Sequence, residues 1–155
     1  MLHRKIALIG HSGSGKSECL KRLAEMDSAL GTNESPSLQD AVNWMAGTPC
    51  VVVVGVHKEL LRNIPRAKAT KEHGENPGPL FVYLYMRKDK LEKCLNRDVQ
   101  KGRREASNAR AALSDYEELD GIFRRVADYI IDTSALEIDQ VADEIRHLSI
   151  DIIRP

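Results

Sequence analysis

The sequence predicts an α/β domain in three layers, with a mostly parallel sheet of four to five strands held between two layers of helices. Three observations carry that expectation. Short apolar runs alternate with stretches of helical periodicity along most of the 155 residues, as in parallel sheets joined by helical crossovers. The run CVVVV at residues 50–54 is apolar at every position, as expected of a central strand covered on both faces. A glycine-rich turn, residues 10–15, joins the first apolar run directly to an amphipathic stretch.

The elements follow in order. Residues 4–9 read as a buried strand closed by Gly10. After the glycine turn, Cys19, Leu20, Leu23 and Ala24 recur at helical spacing, with Glu18, Lys21, Arg22 and Glu25 on the other side. Residues 27–36 read as turn, and Ser37 with Asp40 reads as a capping box opening a helix that carries Leu38, Ala41, Val42 and Met45. A short helix over 57–64 and a long Pro- and Gly-rich loop over 65–79 follow the CVVVV strand. Residues 80–86, LFVYLYM, read as the next strand, and Leu91, Cys94 and Leu95 as a helix face. Residues 97–112 are basic and polar. Ser114 to Glu117 reads as a capping box before a face of Tyr116, Leu119, Phe123 and Val126. DYIID, 128–132, reads as a last strand, and Ser134 to Glu137 as the cap of a final helix burying Ile138, Val141, Ala142, Ile145 and Leu148.

Composition narrows the function classes. The 23 basic and 23 acidic residues cancel, so nothing in the overall charge argues for nucleic acid or an anionic membrane as partner, and an anion site must be local. Cys19, Cys50 and Cys94 are odd in number and widely spaced, which fits buried thiols rather than disulfides or a zinc site. The N-terminal apolar run is too short for a signal peptide, and no stretch approaches the roughly 18 apolar residues of a membrane span. A single cytoplasmic domain over 1–155 is expected.

The chemistry concentrates at Gly10-His11-Ser12-Gly13-Ser14-Gly15-Lys16-Ser17, which matches GxxxxGK[ST], the Walker A motif of P-loop NTPases. It lies between a strand and the first turn of a helix, where backbone N–H groups and the helix dipole converge on one point. A nucleoside triphosphate brings about four negative charges. Against them stand about +0.5 from the helix end, about +1 from Lys16 and about +2 from a magnesium ion on Ser17. The expected ligands are therefore ATP and Mg2+, since no guanine-reading NKxD-type segment occurs. The CVVVV run ends in Gly55, Val56 and His57 rather than in an Asp, so the metal's second carboxylate must come from elsewhere. Asp27 is the nearest candidate; a helix-terminating turn explains it equally.

Beyond this motif the chain resembles the small P-loop kinases of the shikimate kinase type. The resemblance rests on GHSGSGKS, on VYLYMRKDKLEKCLNR as strand plus helix leading into an arginine-bearing lid, and on FRRVADYIIDTS. The same segments are similar to the nucleotide-binding N-terminal domain of the RNase adapter proteins, whose separate C-terminal RNA-binding part would have no room here. The kinase resemblance implies that Gly13 to Ser17 wrap the β-phosphate, Lys16 reaches the γ-phosphate and Ser17 binds magnesium. It implies that a lid arginine among Arg97, Arg103 and Arg104 closes over the phosphates, Arg103 in a catalytic role, and that Thr133 and Ser134 border the adenine. A solvated helix face would account for the arginines as well, and helix capping for Ser134.

The departures bear on the acceptor. Shikimate kinases carry an Asp-x-Asp ending a second strand, a triple-glycine loop after the third, and an arginine where Leu119 stands here. The second strand is essentially missing from this sequence, and VVVVGVHKE keeps one glycine. Shikimate is therefore not expected. His57 and Lys58, at a strand's carboxyl end, contact another anionic acceptor or simply start a surface helix. The leading expectation is an ATP-dependent phosphotransferase acting on an unidentified small molecule, with Asp27 orienting magnesium or accepting the hydroxyl proton. The alternative is a nucleotide-binding switch that transfers no phosphate.

Overall fold

Strand β1 (Ile6–Ile9) is buried at all four positions, and its alternation divides the protein into two layers. In a computed structural model the chain is described over residues 6–27, 31–35, 50–54 and 80–151, with 31–35, 50–54, 150 and 151 as backbone alone. The elements after β1 are α1 (Lys16–Met26), β2 (Gly31–Ser35), β3 (Cys50–Val54), β4 (Leu80–Tyr85), α2 (Lys88–Gln100), α3 (Ala106–Ser114), α4 (Tyr116–Val126), β5 (Tyr129–Asp132) and α5 (Ile138–Asp151).

Ile6 and Leu8, with Leu80, Val82 and Leu84 of β4, face Cys19, Leu20 and Leu23 of α1 and Val141, Ala142 and Ile145 of α5. Ala7, Ile9, Phe81 and Tyr83 face the other way, onto Leu119, Ile122, Phe123 and Val126 of α4. The period-2 pattern of the strands and the 3.6-residue pattern of the helices thus meet across both faces of one sheet. A third cluster, Met86, Leu91, Leu95, Ala109 and Tyr116, ties α2 and α3 to the start of α4.

The sheet is parallel throughout, in the order β2-β3-β1-β4-β5. Ile6 pairs with Val51 on one side and with Leu80 on the other, so β1 is central. The chain winds outward to β2, returns through β3 and then crosses to the far side of β1. The carboxyl end of β1 therefore lies where the winding reverses, the position at which open α/β sheets leave a ligand crevice.

Several sequence expectations need correction. A second strand exists: residues 31–35, GTNES, read as turn, pair in register with β3 from Gly31↔Cys50 to Ser35↔Val54. The segment has no apolar residue to show a strand pattern, and its state comes from the neighbouring ladder. Residues 97–112, basic and polar and assigned no element from the sequence, are largely helical, divided between the end of α2 and most of α3 around a turn at 101–105. Ser114 closes α3 instead of capping α4, whose N-cap is Asp115. Ser134 does not cap α5 either, because that helix starts at Ile138 and the Gln140 side chain turns back to accept from the Glu137 N–H at 2.9 Å. The helix expected from Ser37, the helix over 57–64 with His57 and Lys58, and the loop over 65–79 lie outside the described residues.

Candidate active site

β1 delivers the chain to Gly10 at the carboxyl edge of the sheet, and the next seven residues form a tight loop into α1. Gly13 and Gly15 adopt φ of +87° and +89°, a left-handed backbone that side chains rarely accept, and Gly15 is the N-cap of α1. Lys16 begins the helix, and its side chain turns back over the loop. Its ammonium donates to the Gly10 carbonyl at 2.7 Å and to the His11 carbonyl at 2.8 Å, with only 9% of the residue exposed. Ser17 follows in the same first turn, exposed. A buried cation, two left-handed glycines and a helix N-terminus therefore converge on a few ångströms of chain, the local arrangement that phosphate binding requires.

His11 continues the alternation of β1 one step beyond Gly10, so its side chain turns toward α4 and is wholly buried. Its ring stacks on Tyr116 at 4.3 Å with an interplanar angle of 10°, and meets Phe123 edge-on at 5.2 Å. Nε2 lies 2.9 Å from the Tyr83 hydroxyl. That hydroxyl donates to Asp120 Oδ1 at 2.7 Å, and Asp120 Oδ2 accepts from Arg124 Nε at 2.9 Å. Tyr116, Asp120 and Phe123 project together because they stand at i, i+4 and i+7 of α4. Burial first, then the nearby Lys16 charge, push the His11 pKa down to about 4, so the imidazole is neutral near pH 7. Burial and the bond to Asp120 push the Tyr83 phenol up, so it keeps its proton.

Beside the loop lies a cavity of about 330 Å³ whose lining includes His11, Ser12, Arg104, Asn108, Asp115 and Leu119. Among the three candidate arginines, Arg104 alone lines this cavity. It is half-buried, and among the described residues its Nε has no hydrogen-bond partner, with Asp98 Oδ2 4.0 Å away. Arg97, in the last turn of α2, and Arg103, in the following turn, are exposed.

The remaining candidates fall elsewhere. Asp27 is the C-cap of α1, its N–H bonded to the Leu23 carbonyl at 3.0 Å. Ser17 stands at the opposite end of the helix, about 15 Å away at 1.5 Å of rise per residue. No shared ion or bridging water spans that gap, so Asp27 is not a partner of Ser17 in holding a metal. The Thr133 hydroxyl donates to the Tyr85 carbonyl at 2.9 Å, and Ser134 Oγ accepts from the Arg87 N–H at 2.9 Å. Both fasten the β5–α5 connection to the end of β4. Among the described residues no group of three or more His, Cys, Asp or Glu side chains could hold a metal ion. Within the described residues, a magnesium ion would fit as one brought in on phosphate oxygens and met by Ser17. No described helix is long and apolar enough to cross a membrane.

No protein-family model matches the chain, and no curated protein matches it by sequence. Solved structures do. A shikimate kinase from Acinetobacter baumannii in complex with shikimate superposes with a TM-score of 0.69 at 18% identity, covering 100% of this chain and 97% of that one. The fold is that of the P-loop kinases. A gluconokinase from Sinorhizobium meliloti 1021 is similar with a TM-score of 0.54 at 19% identity, covering 97% of this chain and 96% of the other. The Bacillus subtilis YorR protein in complex with phosphorylated GDP is similar with a TM-score of 0.58 at 16% identity, over 92% and 94% of the two chains. Within this P-loop kinase fold, the polar chain through His11, Tyr83 and Asp120 escaped the motif reading, which treats His11 as a variable position. Its signal was the β1 alternation: counting by two from Ala7 and Ile9 reaches His11.

Proposed function

We propose that the protein is an ATP-dependent phosphotransferase acting on a small hydroxyl-bearing molecule in the cytoplasm, built as a single domain over 1–155. What carries the reading is the buried Lys16 ammonium folded over a loop with two left-handed glycines, beside a cavity that Arg104 enters from the α2–α3 turn. Gly10 to Ser17 form the phosphate cradle. Lys16 exchanges its two carbonyl partners for the γ-phosphate, and Ser17 meets the magnesium ion, which when bound neutralises charge on the β- and γ-oxygens. Arg104 closes over the transferring group, with Arg97 and Arg103 on the outer surface of the same segment. Thr133 and Ser134 hold the connection that borders the adenine. ATP is favoured over GTP by the lack of a guanine-reading segment in the sequence. A small-molecule acceptor is supported by the fold shared with a shikimate kinase and a gluconokinase.

The test is ATP consumption against a panel of hydroxyl-bearing metabolites, with Lys16→Ala as the blank and thermal stabilisation by ATP, ADP and GTP, with and without magnesium, measured alongside. Turnover with one acceptor that vanishes in the variant supports the phosphotransferase. Tight ATP binding with a flat panel supports the switch, and no stabilisation by any nucleotide overturns both.

A further inference from the structure

The chain of hydrogen bonds behind the phosphate loop has a direction. Asp120 accepts from Arg124 through one oxygen and from Tyr83 through the other. A phenol has one proton, and Tyr83 spends it on Asp120, so toward His11 the phenol oxygen can only accept. Nε2 of His11 must therefore carry the ring proton. In a neutral imidazole that leaves Nδ1 as a bare lone pair. Nδ1 is buried and has no hydrogen-bond partner among the described residues. A buried acceptor left unmet costs about 1–3 kcal/mol, and this one belongs to a residue in the wall of the cavity beside the phosphate loop.

The geometry points to His11 as the residue that receives the acceptor's hydroxyl: its Nδ1 accepts the O–H hydrogen bond, while Tyr83 and Asp120 act as positioning residues that hold the imidazole in the Nε2–H form. This rests on reading the protein as a phosphotransferase. The aromatic box of Tyr116 and Phe123 fixes the ring plane, and Tyr83 fixes its rotation, so the lone pair is presented in one direction. Orientation is what the chemistry needs from such a group. Phosphoryl transfer proceeds through a loose transition state in which placing the attacking oxygen matters more than removing its proton early. An imidazole with a lowered pKa suits that task, since it stays an acceptor throughout the physiological range.

The experiment reads the tautomer and the rate separately. In protein labelled with 15N-histidine, long-range 1H–15N correlation at pH 7 is expected to show His11 protonated at Nε2 alone. In Asp120→Asn, the one remaining side-chain oxygen goes to Arg124 and the amide donates to Tyr83. Tyr83 then donates to Nε2, and His11 is expected to switch to the Nδ1–H form. ATP consumption with water and with glycerol as hydroxyl probes is expected to fall at least ~10-fold in kcat in Asp120→Asn and in His11→Phe, with the Kd for ATP in Asp120→Asn, which lies outside the phosphate cradle, changed less than ~2-fold. Wild-type His11 protonated at Nδ1, or unchanged rates in both variants, overturns the proposal, as does loss of ATP affinity in step with rate in Asp120→Asn. Should neither probe support turnover, the Nδ1 resonance decides: it is expected to move on adding glycerol to the ATP-bound protein, and an unmoved resonance overturns the proposal. Absence of any stabilisation of the wild type by ATP instead strikes the phosphotransferase reading itself.

Discussion

A Cβ placed on Gly13 would stand 2.7 Å from Leu95 Cδ2, so the phosphate loop and helix α2 touch through a glycine that has no room for a methyl group. The left-handed φ of Gly13 adds backbone strain to any substitution. Gly13→Ala is expected to cost about 2–3 kcal/mol, lowering Tm by roughly 5–10 °C in a chain of this size. Thermal unfolding of Gly13→Ala, Leu95→Ala and the double variant checks the contact: the double variant should lose less than the two single losses added, because removing Leu95 makes space for the new methyl. Strict additivity would mean that the two residues do not meet.

Lys16→Ala is expected to abolish stabilisation by nucleotide. For the wild type at a hundred times Kd, ATP should add about 2.7 kcal/mol to the unfolding free energy. The variant should show no shift at the same concentration while retaining its far-UV circular dichroism. A variant that ATP stabilises as well as the wild type would remove Lys16 from the site.

Stability should fall as pH drops from about 6.5 to about 4. The folded His11 pKa is lowered, so in that window the unfolded chain binds a proton that the folded chain refuses, and protons favour unfolding. Burial and Lys16 drive the shift down, while Asp120 and Glu117 oppose them. At about 1.4 kcal/mol for each pKa unit, the His11 component is about 3 kcal/mol. Urea melts at pH 7.5 and pH 4.5 measure it as the difference between wild type and His11→Phe, whose pH dependence should be flatter by about that amount.

Cys19 should resist alkylation in the folded protein. It is wholly buried in the core between α1 and the sheet, and burial pushes its thiol up to about 12. Cys94, half-buried on α2, should react with iodoacetamide at pH 8 well before it. Peptide mapping by mass spectrometry separates the two, and equal rates would contradict the packing of α1.

The parts of the fold legible in the sequence are those whose side chains carry their own burial. β1 and β4 are unbroken apolar runs, α1 and α4 show one apolar face, and the glycine loop shows its turn. β2 was hidden because GTNES has no apolar pattern, and what makes it a strand is five residues of pairing with β3. Asp27 attracted a metal role by closeness in sequence, whereas eleven residues of helix carry it to the far end of α1. Ser114 and Ser134 fitted capping boxes by spacing, but the spacing recurs wherever a Ser precedes a Glu by three. Ser134 uses its oxygen on the Arg87 N–H, a partner 47 residues away that no local pattern encodes. His11 shows the opposite: it continues β1 at the parity of Ala7 and Ile9, which face α4, while the motif leaves the residue type at that position open.

Lys16 leaves one consequence for selectivity. Its ammonium is already withdrawn from water and holds two backbone carbonyls, so an arriving anion exchanges partners with it instead of capturing a solvated cation. The two carbonyls set a threshold. A singly charged ion offers little more than they do, whereas a polyphosphate with about four charges clears the difference easily. Under the proposed function the loop is therefore expected to favour polyphosphates over singly charged anions such as chloride or acetate, by charge density alone.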